Sequence, residues 1–176
     1  MSMSSLTRRT FLATATTTMA FGAVTMKDGK EVIEAPPVTP NTAKVIPRKL
    51  SPNEKVNLAA IGAGGKGYSD LMSCKRNGAN VVAIADVDWD RCAEAIYRLP
   101  DAKKFKDFRI MLETMPEIDA VTISAPDHIH APAAYMAMMM GKHCYVQKPL
   151  THTVAEARLL KNTAEECGVM TQMGNQ

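Results

Sequence analysis

The sequence has 176 residues, 46% hydrophobic and 22% charged, with a net charge of +3; this is an ordinary globular composition, enough for one domain and a tail. The mild charge, part of it near the N-terminus, argues against a dedicated nucleic-acid binder, and 5% aromatics leave little for base-stacking platforms. The cysteines Cys74, Cys92, Cys144 and Cys167 form no Cys-x-x-Cys pair, which speaks against a zinc site or redox dithiol and for separate, mostly buried thiols.

The first stretch reads as a targeting segment. In "SSLTRRTFLATATTTMAFGAV", Arg8-Arg9 is followed by Thr10-Phe11-Leu12 and a short apolar, threonine-rich run without charge up to Lys27. The run is too short to span a bilayer comfortably but fits a signal-peptide core. It resembles a bacterial twin-arginine export signal over residues 1–26; the alternative is a basic amphipathic helix. Residues 27–54 hold Pro36, Pro37, Pro40, Pro47 and Pro52 and little periodicity, so an extended linker is expected.

Order is expected from about residue 55. Residues 56–61 are a continuous apolar run, as in a strand buried on both faces of a parallel sheet. The turn Gly62-Ala63-Gly64-Gly65-Lys66-Gly67 follows, then a helical pattern with Leu71 and Met72 that ends at Asn77-Gly78. A second apolar strand, 81–85, ends at Asp86. Gly62 permits the tight turn, Gly64 lets a diphosphate approach the backbone, and Gly67 lets the helix pack close to the sheet. The whole turn, Gly65 and Lys66 included, offers a helix N-terminus to phosphate. Asp86 lies nineteen residues after Gly67, near the offset at which an acid binds ribose hydroxyls. A carboxylate there repels a 2′-phosphate, and Val87 and Asp88 follow rather than arginine, so NAD is favoured over NADP. A glycine turn in another doubly wound protein, such as a methyltransferase-like domain, is the competing reading. A nucleotide-triphosphate loop is excluded because Lys66 is followed by Gly67, not Ser or Thr.

The alternation continues. Helices are expected over 90–97, 130–140 and 154–166, strands over 119–124, 143–146 and 169–173, and a short strand plus helix in "KKFKDFRIMLE". The fold class is α/β, a doubly wound parallel sheet whose ligands sit beyond the carboxyl ends of the strands. Three segments fall on that rim: "SAPDHIH", "QKPLTH" and "MGNQ". Lys148, at a strand end and beside Pro149, has two equal readings: a donor and proton relay at the ligand, or a solvated strand end. The Lys148–Pro149 bond is a candidate for the cis form. His128 and His130 lack a third ligand, so no metal is expected; His143 and His152 read as surface or supporting residues. Met136, Met138, Met139 and Met140 read as core packing.

The glycine turn, Asp86, "SAPDHIHAPAAYMAMMMGKHCYVQKPLTHTVAEARLL" and "VMTQMGNQ" resemble the N-terminal domain of the Gfo/Idh/MocA oxidoreductases, the glucose–fructose oxidoreductase and inositol dehydrogenase family. The resemblance covers about residues 55–176. Pro126, Asp127 and His130 match the family's Pro-Asn-x-x-His loop, and Lys148-Pro149 matches its Glu-Lys-Pro. The resemblance implies that Ala125, Asp127 and His130 lie along the nicotinamide ribose. It also implies that Lys148 is the catalytic lysine, contacting the nicotinamide and the reacting hydroxyl. Gln147 replaces the family's glutamate: it can still bond a ribose hydroxyl but brings no charge to tune Lys148. The family's second, α+β domain, which carries substrate pocket, acid–base histidine and dimer face, is expected to be absent from this chain, which therefore looks like a fragment. Three functions remain open: hydride transfer between a sugar or polyol and NAD, an NAD-dependent glycosidase acting by transient oxidation, and a catalytically incomplete cofactor-binding fragment. The partners expected are a carbohydrate substrate and a second copy through the missing domain, in an exported, periplasmic setting. Neither nucleic acid nor a membrane beyond export is expected.

Overall fold

The computed structural model describes residues 24–27, 30–33 and 46–175, in two compact units, Met1–Thr42 and Ala43–Gln176. In the first, β1 (Val24–Lys27) pairs antiparallel with β2 (Lys30–Ile33), Val24 opposite Ile33 and Lys27 opposite Lys30. This hairpin stands where the sequence suggests the end of a leader and the start of a linker. The overlooked signal is Asp28-Gly29 between two runs containing β-branched residues, a hairpin pattern. Arg8 and Arg9, which carry the export reading, lie outside the described residues.

The second unit runs β3 (Asn57–Ile61), α1 (Lys66–Arg76), β4 (Asn80–Ala85), α2 (Ala93–Arg98), β5 (Lys103–Phe105), α3 (Phe108–Thr114), β6 (Ala120–Ile123), α4 (Asp127–Met139), β7 (His143–Gln147), α5 (Val154–Cys167) and β8 (Thr171–Gly174). Its six strands form one parallel sheet in the order β5-β4-β3-β6-β7-β8. The chain winds outward from β3 through β4 to β5, then returns to β6 and winds the other way. The switch point therefore lies between β3 and β6, where a doubly wound sheet opens its ligand crevice.

The uninterrupted apolar strands follow from burial on both faces. Along β3, Leu58 and Ala60 pack with Leu71 of α1, Ile84 and Ala95 of α2. Ala59 and Ile61 turn to the other face, with Met111 and Leu112 of α3, Ala134 and Met138 of α4 and Leu160 of α5. Alternate side chains thus enter opposite cores, and neither face needs polar residues. Met138 is buried, while Met136, Met139 and Met140 pack at the core's margin, as expected of gap-filling methionines. Cys92, Cys144 and Cys167 are buried, and burial pushes the Cys144 thiol up to about 12.

α3 and α5 carry side-chain caps: Asp107 accepts the Arg109 N–H at the start of α3. Thr153 and Glu156 form a reciprocal capping box at the start of α5, and Gly168 ends it with a left-handed φ of 65°. The sequence suggests a helix over 130–140. The helix begins at Asp127 instead. Pro132, inside the helix, withholds one ladder bond from the carbonyl of His128, an exposed residue.

The folded unit also starts earlier than residue 55. Arg48, inside the expected linker, donates Nε and Nη2 to the two Asp119 carboxylate oxygens at 2.8 and 2.9 Å and also pairs with Glu54. Asp119 is 5% exposed and accepts the Asn57 N–H at 2.8 Å. Burial alone would raise its carboxyl, but the Arg48 fork and the Asn57 amide outweigh it and hold the group below its ordinary 3.8. The resulting stability is present above that value and lost as pH falls through the lowered one. A proline-rich stretch without periodicity hides one long-range ion pair of this kind.

Candidate functional site

The site is built where β3, β4, β6 and β7 end. Gly62 leaves β3 with φ 82°, and a Cβ there would lie 2.7 Å from the Ser124 carbonyl oxygen, just past β6. At Gly64 a Cβ would lie 2.8 Å from the Arg91 carbonyl oxygen, and at Gly67 2.3 Å from the Gly62 carbonyl oxygen. These are backbone obstacles that cannot swing aside. Gly65 has φ 53° but open space around it, so its conformation, not crowding, favours glycine. It starts α1 with no side-chain cap and no acid in the first turn. An eleven-residue helix with an uncapped positive end behind a side-chain-free turn is a cradle for a diphosphate.

Asp86 sits directly after β4. Its Oδ2 accepts the Ala63 N–H at 2.8 Å and its Oδ1 accepts the Asp88 N–H at 2.9 Å. A carboxylate has about four acceptor positions, so two remain for ribose hydroxyls. The acid therefore has two tasks: it holds the glycine turn to the end of β4, and it presents acceptors to the adenosine side. The turn containing Arg91 packs against Gly64, a neighbour that the sequence pattern does not indicate.

On the other side of the switch, Ala125 and α4 flank the cleft. Asp127 and His128 are exposed in the first turn of α4, where an acid suits the helix dipole. His130 is 1% exposed. Its Nδ1 lies 2.6 Å from the Pro149 carbonyl oxygen and its Nε2 2.9 Å from the Ala125 carbonyl oxygen. The buried ring thus bridges the segment after β6 to the segment after β7. The sequence suggests His128 and His130 as neighbours on a loop; on a helix, residues two apart point to different sides. Among the described residues no three His, Cys, Asp or Glu side chains gather as metal ligands.

Lys148 follows β7, exposed at the cleft's rim, and its bond to Pro149 is cis. Gln147, by contrast, is 6% exposed. Its Nε2 donates to Asp70 Oδ2 at 2.8 Å, and its Oε1 accepts the Lys148 N–H at 3.3 Å. Asp70, 7% exposed, also accepts Ser124 Oγ–H at 3.1 Å on Oδ2 and pairs with Lys66 Nζ at 2.9 Å on Oδ1. Sequence reasoning places Lys66 and Gln147 at the cofactor but misses Asp70 and Ser124, which join them. A signal exists: Gly67, Asp70 and Leu71 share the buried face of α1, at spacings of three and four.

A separate cavity of about 280 Å³, lined by Lys55, Lys75, Asn80 and Asp101 among others, lies at the opposite, amino end of β4. It is remote from the glycine turn and shares no residue with the rim.

A parallel sheet of this order, with a glycine cradle at its switch point and an acid after the next strand, defines an NAD-binding Rossmann domain. The chain belongs to the GFO/IDH/MocA oxidoreductase family with NAD-binding Rossmann fold, whose model matches residues 56–175. It is 32% identical over 171 residues to a glycosyl hydrolase family 109 protein of Shewanella pealeana, covering 91% of this chain and 37% of that one. It is 31% identical over 122 residues to the NAD(+)-dependent scyllo-inositol 2-dehydrogenase of Bacillus subtilis, covering 68% and 35%. A crystal structure of an NAD-binding oxidoreductase from Klebsiella pneumoniae superposes with a TM-score of 0.61 at 27% identity, covering 69% of this chain and 34% of that one. The chain thus spans about a third of the length of these proteins.

Proposed function

We propose that this chain is the cofactor-holding part of an enzyme that moves a hydride between a hydroxyl-bearing carbon of a sugar or polyol and NAD. The observation that carries the reading is the convergence of the glycine cradle, Asp86 and the Lys148 turn on one carboxyl edge of the sheet. Bound NAD supplies the hydride acceptor. The chain's residues do the rest. Residues 62–67 hold the diphosphate with main-chain amides, that of Lys66 among them, while the Lys66 ammonium pairs with Asp70. Asp86 accepts from the adenosine ribose hydroxyls and repels a 2′-phosphate. Ala125 and Asp127 line the nicotinamide ribose, with His130 holding their rim in place. Lys148 donates to the nicotinamide amide; when the hydroxyl is oxidised its neutral amine accepts the hydroxyl's proton, and in the reverse direction its ammonium returns it.

The chain spans a third of its relatives' length, so in this reading the substrate pocket and any contact with a second copy come from outside residues 56–175. Similarity to the Shewanella pealeana protein favours a second reading, a glycosidase that oxidises a sugar hydroxyl transiently and so eases elimination at the glycosidic bond. NADH accumulating with a free polyol supports the first reading; glycoside cleavage without net NADH supports the second.

Asp86→Ala tests the cofactor assignment. NAD affinity should fall about tenfold or more, because charge-assisted hydrogen bonds are lost, and NADP should gain relative to NAD. Unchanged affinity for both nucleotides would refute the ribose role. The Arg8-Arg9 pair ahead of Phe11-Leu12 supports export of the folded, loaded protein. Changing both arginines to lysine should trap a reporter fusion in the cytoplasm; continued export would refute this reading.

A further inference from the structure

We propose that Asp70 and Gln147 form a buried carboxylate–amide strut that sets the spacing between the two halves of the cofactor cleft and so positions the Lys148 rim for the nicotinamide half. The inference rests on the NAD-binding reading of the same cleft and assigns Asp70 a role in it.

The strut runs between elements far apart in sequence. Asp70 belongs to α1, whose first turn ends the diphosphate cradle; Gln147 ends β7, and the next residue is Lys148. Their side chains meet at 2.8 Å, both nearly excluded from solvent. Chemistry fixes the amide's orientation: a carboxylate only accepts, so Nε2 must face Asp70, which leaves Oε1 for the Lys148 N–H. The backbone of Lys148 is therefore tied, through two side chains, to the helix that carries the phosphate turn.

The surroundings are shaped for this contact. Ser124, beside the Gly62 turn, donates to the same Asp70 oxygen, and Lys66 neutralises the other. Gly174 of β8 makes room, since a Cβ there would lie 2.8 Å from Gln147 Nε2 and 2.5 Å from the Tyr145 hydroxyl. A buried carboxylate with two neutral donors and a counter-charge is the arrangement that burial of a charge requires.

The arrangement also explains glutamine at 147. A glutamate would set a second carboxylate about 3 Å from Asp70, where two like charges cannot both stay ionised. Only one member of the pair can carry the charge, and here it is Asp70. Glutamate at 147 should then become acceptable when position 70 carries the amide instead. In that exchange the amide nitrogen at 70 would donate to the new carboxylate, its carbonyl oxygen would accept from Lys66, and the Ser124 hydroxyl would rotate to suit.

The test uses the full chain and two probes, NAD and ADP-ribose, which lacks the nicotinamide. Q147E should weaken NAD at least about tenfold while ADP-ribose changes less than about twofold, and D70N/Q147E should return NAD to within about threefold of the unsubstituted chain. D70N alone should also weaken NAD selectively. Melting curves accompany each variant. If Q147E does not fold, recovery of folding and NAD binding in D70N/Q147E upholds the strut. Equal NAD affinity in Q147E and the unsubstituted chain, parallel losses for both probes, or a double variant no better than Q147E overturns it. Failure of the unsubstituted chain to bind either probe would instead overturn the cofactor reading on which the strut depends.

Discussion

Gly67→Ala should abolish measurable NAD binding. The added Cβ would stand 2.3 Å from the Gly62 carbonyl oxygen, 3.0 Å from its carbon and 3.1 Å from Ser124 Cβ. Backbone is on one side and the end of β6 on the other, so α1 must move away from the turn. Overpacking of this kind costs roughly 1–3 kcal/mol of stability, which the domain can survive. The cradle cannot, because its amides are aimed by the contact between α1 and Gly62. A loss of about a hundredfold or more in NAD affinity is expected, seen as vanished heat in calorimetry. Gly78→Ala is the control: with φ 98° and open space around it, it strains the backbone after α1 but leaves the turn alone. It should lower the melting temperature and keep NAD affinity. If Gly67→Ala also kept NAD affinity, close helix packing at the turn would be irrelevant to binding.

Lys148→Ala carries the second large effect, on chemistry rather than on binding. The side chain is exposed at the rim, and only its backbone N–H is tied into the strut. Removing the ammonium should leave the diphosphate and ribose contacts untouched, so NAD affinity should change by less than about threefold. Turnover of the whole protein should fall about 10²- to 10⁴-fold, the range for a lost proton-transfer group. The same depression is expected whether the product is an oxidised polyol or a cleaved glycoside, since both readings begin by taking a hydride and a proton from one carbinol. Intact turnover would reduce Lys148 to a solvated strand end.

Legibility in the sequence follows the range of the interactions. The glycine turn, the acid after the second strand and the buried parallel strands are local patterns. Each shows as a short run of residues within one β-α-β unit, even where the contacts behind it, Ser124 against Gly62 and Arg91 against Gly64, come from farther along the chain. His130 falls in the right motif but with surroundings the motif does not reveal: its partners Ala125 and Pro149 come from two different rims. Asp70 looks like half of a surface pair with Lys66, four residues earlier. Its burial is set by Ser124 and Gln147, 54 and 77 residues away, and no local rule anticipates that. Arg48 is masked in the same way by prolines, its carboxylate partner lying 71 residues on. α4 starts at Asp127, three residues before the expected 130, and carries Pro132 inside it.

A saturable nucleotide site at the glycine turn is the central requirement of cofactor binding by this chain. Calorimetric titration of the unsubstituted chain with NAD, beside the Gly67→Ala variant, measures it directly. One site per chain, with heat that disappears in the variant, is the predicted result. No heat at saturating NAD, or equal binding by both proteins, would contradict it.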